Sequence, residues 1–357
     1  MKAKFLTGCR LVTALLLVIV TSGCSLLPIG KEKTPAPEPT TPSLSEVVEV
    51  SEDYYGSVTP YKTNQTRGML SSTKYRIDFS HLELGLMEFA RDTFSTSDYF
   101  FQEGQQVTRE QVTEWIAQEK SGTANGQKKT GILVHVLEHD YLSKKTKQLS
   151  GMVLGLSLSP NYVDATGQEK VYTPQELQAK GQQLAAKIVQ SVRVNTPQVP
   201  ILIMMYQVPE ANSSLVPGHF IMSGTVSAGE AVVSKWQPIE EEYFLFPSKD
   251  VERKYAQQSL QFDKLMRQTK EYFPEYIGLT GVGRFMDGRL TELTITATAE
   301  YDSRSEVLQF TQFAAGSINQ LIDKSVHVNL YVQTMSKPLS IYIRPTSGEP
   351  YMHLYRS

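Results

Sequence analysis

The chain has 357 residues, with 35 Lys and Arg against 37 Asp and Glu and a formal net charge of -2. This near balance, with no long basic run, excludes nucleic acid and an electrostatic membrane-binding surface as partners. Only 2 cysteines occur, Cys9 and Cys24, which excludes an internal disulfide framework, a cysteine zinc cluster and, in the body, a cysteine nucleophile.

The first residues form a secretory pattern. Lys2, Lys4 and Arg10 give a basic start, Leu11 to Val20 an apolar core, and Thr21-Ser22-Gly23 small residues before Cys24. The apolar run is shorter than the roughly 20 residues a spanning helix needs. Small residues followed directly by cysteine resemble the lipobox of bacterial lipoproteins, although Thr21 stands where a leucine is usual. The resemblance implies that lipoprotein diacylglyceryl transferase lipidates Cys24 and that signal peptidase II cleaves between Gly23 and Cys24. The mature chain is then held at the extracytoplasmic face of the cell membrane by acyl chains such as palmitate. Residues 31–42, KEKTPAPEPTTP, favour an extended polyproline conformation and reach roughly 35–40 Å at about 3.1 Å per residue. Residues 1–23 are thus read as signal peptide and 24–50 as lipidated N-terminus and tether.

About 310 residues remain, enough for one large or two smaller domains. Residues 54–97 hold a helix over 81–94. Thr108 and Gln111 have capping-box spacing ahead of the helical stripe Val112, Trp115 and Ile116. A hairpin follows, 132–142 and 149–158, whose second strand alternates Met152, Leu154, Leu156 and Leu158. Thr173-Pro174-Gln175-Glu176 opens a second helix with Leu177, Leu184, Ile188 and Val192 on one face. Residues 199–206 are apolar on both faces, as in a buried central strand. The order then recurs. A helix over 260–273 carries Leu260, Leu265 and Tyr272, and strands 277–285 and 290–301 flank Asp287-Gly288, a hairpin dipeptide. A helix over 305–322 presents Val307, Phe310, Ala314, Ile318 and Leu321, followed by Val326, Val328, Leu330 and Val332 in alternation. Leu339, Ile341 and Ile343 repeat that pattern. The expected fold is α+β, with two related lobes, each laying helices on a largely antiparallel sheet. The first lobe covers 51–247, including an N-terminal helical extension, and the second 248–357.

The sequence offers little catalytic chemistry. His135-Val136-Leu137-Glu138-His139 matches H-x-x-E-H, but zinc binding by that motif needs a helix, where residues four apart share a face. On a strand they stand roughly 13 Å apart, and the flanking residues favour a strand. Gly278, Gly281 and Gly283 precede no helix, so they form no phosphate loop; they suit a bulge or a close backbone approach. Glu240-Glu241-Glu242 is read as a solvated charge run. Residues 99–104 are read as core packing, with a binding cleft lined by Tyr99, Phe101 and Tyr276 as the alternative. His219, His327 and His353 stand alone. No metal or cofactor is expected, and the body is read as non-enzymatic.

Several blocks carry a family resemblance: YYGSVTPYKTNQTRGM (54–69), LGLMEFARDTFSTSDYFFQEGQ (84–105), LEHDYL (137–142), PILIMMYQ (200–207), YFPEYIGLTGVGRFMDGRL (272–290) and EVLQFTQFAAG (306–316). In this order they resemble the CamS sex-pheromone lipoproteins of Gram-positive bacteria; His139 stands where glutamine is usual. The resemblance implies that a short apolar peptide from the signal sequence is released and prompts conjugative plasmid transfer. The matching stretch is Leu16, Leu17, Val18, Ile19, Val20, Thr21, Ser22 and Gly23. The alternative is a cell-envelope or small-ligand binding module that uses a cleft between the lobes, the pheromone being incidental.

Overall fold

The computed structural model describes residues 45–46, 54–71, 75–120, 123–124, 127–128, 131–164, 166–209, 217–274, 276–301 and 303–356. The chain runs β1 (Ser45–Glu46), β2 (Gly56–Thr59), α1 (Phe79–Ala90), β3 (Tyr99–Glu103), α2 (Arg109–Lys120), β4 (Thr123–Ala124), β5 (Gln127–Lys128), β6 (Leu133–Ser143) and β7 (Leu149–Leu158). It continues β8 (Asn161–Val163), β9 (Glu169–Val171), α3 (Pro174–Arg193), β10 (Ile201–Gln207), β11 (His219–Val226) and β12 (Lys235–Pro238). The remainder is β13 (Glu241–Phe246), α4 (Lys249–Lys254), α5 (Ala256–Tyr272), β14 (Tyr276–Met286), β15 (Arg289–Ala299), α6 (Arg304–Leu321), β16 (His327–Gln333), β17 (Pro338–Arg344) and β18 (Tyr351–Leu354).

The repeat expected from the sequence is topological. The first sheet has the order β1-β2-β3-β6-β7-β10-β11-β12 and the second β13-β14-β15-β16-β17-β18. Within each, an antiparallel hairpin feeds a long helix that crosses to a parallel strand, and further antiparallel strands follow. Thus β7 and β10 pair in parallel across α3, as β15 and β16 do across α6. Only the first sheet carries the added β1, β2 and α1. The change of sheet falls between β12 and β13. Together residues 44–357 form one compact unit.

Local signals start these helices as their chemistry requires. Thr173 with Glu176, and Ser303 with Glu306, form reciprocal capping boxes on α3 and α6. Thr108 and Gln111 exchange the equivalent bonds ahead of α2. The β14–β15 hairpin turns at Asp287 and Gly288 with φ of 50° and 73°, the left-handed pair that a tight primed turn demands.

The two sheets are buried differently. The first is covered on one face by α2 and α3, around Met152, Leu154, Leu156, Leu158 and Ile203. Its other face is covered by α1, whose Leu82, Leu86 and Ala90 pack with Leu137, Tyr141 and Met204. The second sheet packs its inner face on α4, α5 and α6 around Phe262, Phe285, Phe310 and Leu330. Gly281 and Gly283 permit that contact: a Cβ at either would stand 2.9 Å from Phe262 or 2.6 Å from Phe246.

Three expectations are corrected here. On α5 the core face is Phe262 and Leu265, whereas Leu260 and Tyr272 are exposed. On β17, pairing with β16 sets Tyr342 opposite Leu330 and Arg344 opposite Val328, so these face the helices while Ile341 and Ile343 are half-buried on the outer face. Arg344 belongs inside because its guanidinium donates to the carbonyls of Ile322, Asp323 and Val326 beyond the end of α6, groups a helix cannot satisfy itself. Finally, Glu241 is no solvated charge: it is 2% exposed.

Candidate functional site

Cys24, Gly23 and the candidate peptide Leu16–Gly23 lie outside the described residues, as does the proline-rich stretch 31–42, while Ser45–Glu46 of the 24–50 segment form β1. The H-x-x-E-H segment lies within β6, a strand as expected. His135 and His139 project toward α1, where Nδ1 of His135 contacts the Met69 carbonyl oxygen at 2.6 Å and the His139 ring meets Phe101 edge-on. Burial lowers their pKa values to about 4 and about 3, keeping both neutral. Among the described residues no group of three or more His, Cys, Asp and Glu is placed to hold a metal ion.

Opposite these histidines, three segments meet around β6. Beyond the end of β3, the loop at 61–71 takes the place of a neighbouring strand. Asn64 Nδ2 donates to the Glu138 carbonyl, Thr66 Oγ1 to that of Val136 and Ser71 N to that of Val134. Side-chain amide and hydroxyl donors thus replace the backbone donors of a regular strand, because buried carbonyls must find partners. Glu103 pins the loop, accepting from Tyr61 Oη at 2.5 Å, Asn64 N at 2.7 Å and the Arg67 guanidinium. Burial opposes its charge, but these donors prevail and hold its pKa below the usual carboxylate range.

Glu138 and Asp140 form the other half of this knot. Glu138 accepts from Gln106 N at 2.9 Å and Val107 N at 2.8 Å, and Asp140 from Gln105 N at 3.0 Å. Burial raises the pKa values of both carboxyls, and the neighbouring Glu138 charge raises that of Asp140 further. Burial and like charge together therefore favour a proton on this pair. Both residues are at most 1% exposed, so they brace the loop and cannot meet a substrate without opening it.

The aromatic residues suggested as a cleft are separated between the sheets. Tyr99 and Phe101 lie on β3, and their rings pack with Phe94, Tyr141 and His139. Tyr276 opens β14, paired with Ala299. Where the sheets adjoin, Arg284 bridges Glu241 on β13, at 2.6 Å, to Glu88 on α1, at 2.8 Å. Beside this bridge a shallow pocket of about 40 Å³ is lined by Tyr54, Tyr55, Leu84, Met87, Glu88 and Arg91. The outer face of the second sheet carries Tyr331 on β16, which is 40% exposed. Sequence reading passed over that outer face, although Tyr351-x-His353-x-Tyr355 alternates in it.

The family model described as CamS sex pheromone cAM373 precursor matches residues 61–349. The chain belongs to the CamS family. A similar solved structure is a sex pheromone precursor from Lactobacillus salivarius subsp. salivarius UCC118, at 22% identity and a TM-score of 0.77, covering 88% of this chain and 100% of that one. Another is the C-terminal domain of the sex pheromone staph-cAM373 precursor from Staphylococcus aureus, at 20% identity and a TM-score of 0.65, covering 78% of this chain and 96% of that one. At these identities the likeness is one of fold. No curated protein sequence matches the chain. The CamS match takes in the braced loop, the carboxyl pair and all of the second sheet except β18, which begins at Tyr351.

Proposed function

We propose that this CamS protein is a non-enzymatic lipoprotein, anchored through Cys24 at the extracytoplasmic face of the membrane, whose signal peptide yields a sex pheromone that stimulates conjugative plasmid transfer. The observation that carries the reading is the family match over 61–349 behind a basic, apolar, small-residue and cysteine N-terminus. In keeping with it, no described helix is long and apolar enough to cross a membrane. Lipoprotein diacylglyceryl transferase and signal peptidase II act on the precursor. The peptide Leu16–Gly23 bears no charged side chain and has an apolar composition, so intramembrane cleavage releases a species able to leave the bilayer. Mass spectrometry of culture supernatant tests this: a fragment from residues 11–23 supports it, and its absence sinks the pheromone half.

A second reading concerns the body, as a module that binds envelope material or a small ligand. The pocket at Tyr54 and Tyr55, whose Glu88 reaches Arg284 of the second sheet, favours it, since ligands settle preferentially where domains adjoin. Protection of Tyr54 and Tyr331 from chemical iodination by cell-wall fragments checks it; unchanged labelling counts against it.

A further inference from the structure

From the outer face of the second sheet we infer a binding surface for an uncharged glycan chain of the surrounding envelope, a step that rests on the envelope-binding reading above. Register places two rows of side chains side by side across five strands. One is Val282, Thr294, Asn329, Ile343 and Tyr351; the other is Thr280, Thr296, Tyr331, Ile341 and His353. Each row crosses four strand spacings, roughly 19 Å.

Three features select the ligand. The first is flat aromatic surface: Tyr331 is 40% and Tyr351 55% exposed. The Tyr351 and His353 rings lie parallel within 4°, at 6.5 Å, and Tyr355 meets His353 edge-on at 5.1 Å. Such rings offer a rigid apolar face with a polar edge, which suits the C–H faces of pyranose rings. The second is hydrogen bonding. Thr280, Thr294 and Thr296 on β14 and β15 continue the floor beyond Tyr331, on the side away from Tyr351 and His353, and hydroxyls both donate and accept, as sugar hydroxyls and acetamides require. The third is charge: neither row contains Asp, Glu, Lys or Arg, and the carboxylate that flanks them, Glu292, is taken by Asn329 Nδ2 at 3.0 Å. A polyanion would find no cation here, and an apolar helix would meet threonine and asparagine where it needs a continuous stripe.

The test is titration of the full chain, purified from membranes in detergent, with a soluble N-acetylglucosamine hexamer, followed by calorimetry. Binding is expected, unchanged by raising salt from 0.05 to 0.5 M, because no charge pair is screened. Tyr331→Ala and Tyr351→Ala should each weaken it roughly tenfold, about 1.4 kcal/mol, while Tyr331→Phe, which keeps the ring face, retains most of it. Unfolding midpoints identify any variant weakened by misfolding, and Tyr351→Phe then serves as a second comparison. The proposal is overturned by absent binding, by binding indifferent to both alanines, or by preferential and salt-sensitive binding of polyglycerol phosphate. The acyl mass of the same preparation reads the anchor separately, so failure of either is distinguishable.

Discussion

The Nε of Arg284 donates to Oε1 of Glu241 at 2.6 Å, and the two residues are 9% and 2% exposed where α1 and β11 meet the second sheet. Glu241 uses its other oxygen to accept Phe220 N at 2.6 Å. One carboxylate thereby joins the two sheets through a cation and a backbone amide.

Glu241→Ala leaves the Arg284 charge and the Phe220 amide short of partners, a loss of about 3–5 kcal/mol. Glu88→Ala removes the Arg284 partner whose side chain is 43% exposed, and should cost only about 0.2–1 kcal/mol. Urea unfolding of both variants checks the ranking, and equal losses would mean that Glu241 is not the joining group.

The carboxyl pair fixes a dependence on alkali. Folding raises the pKa of Asp140 and Glu138, so the folded state holds a proton that the unfolded chain releases near pH 4. That stabilisation is complete below pH 4 and declines as pH rises through the folded pKa, by at most about 1.4 kcal/mol per pH unit for one proton. Asp140→Asn, which cannot ionise, should flatten the decline between pH 5 and pH 9. A variant that loses stability across this range as steeply as wild type would show that the pair holds no such proton.

The buried histidines act on the other side. Their folded pKa values, about 4 for His135 and about 3 for His139, lie below the ordinary value near 6.5. Stability from each is whole above pH 6.5 and is lost as pH falls toward those values. His139→Gln should remove part of the acid loss between pH 6.5 and pH 4 while leaving pH 8 stability nearly unchanged. Midpoints that track wild type throughout would contradict a buried neutral His139.

Much of this architecture is written locally. Thr173, Ser303 and Asp287-Gly288 each act within a few residues, so capping and turn chemistry locate them without knowledge of the fold. The lobe repeat was legible for the same reason, because alternation in β7, β15 and β16 reports burial directly. Glu241 was not, since its neighbours in sequence are acidic and its partners Phe220 and Arg284 are far along the chain. The facing of β17 was likewise hidden: Ile341 and Ile343 are apolar enough for a core, but Arg344 finds helix-end carbonyls that outweigh the preference. In the candidate site, H-x-x-E-H drew the eye to the histidines, whereas the residue that organises the loop is Glu138 between them.

Gly104 tests that organisation sterically. A Cβ there would stand 2.2 Å from Glu138 Cγ, so Gly104→Ala must displace the carboxyl from the Gln106 and Val107 amides. An overpacking loss near the upper end of about 1–3 kcal/mol is expected, compared with roughly 1–2 kcal/mol for Gly288→Ala, whose φ is 73° but whose Cβ meets nothing within 4 Å. Thermal unfolding that ranks Gly288→Ala as the more damaging would refute the brace.

Lipidation of Cys24 is the foundation of the functional reading, and intact mass reads it directly. Protein extracted from membranes should begin at Cys24 and carry the added mass of acyl chains, while Cys24→Ala should remain unacylated with its signal peptide attached. A wild-type chain without acyl mass, cut at a different residue, would contradict the anchor and remove the ground for seeking a released peptide.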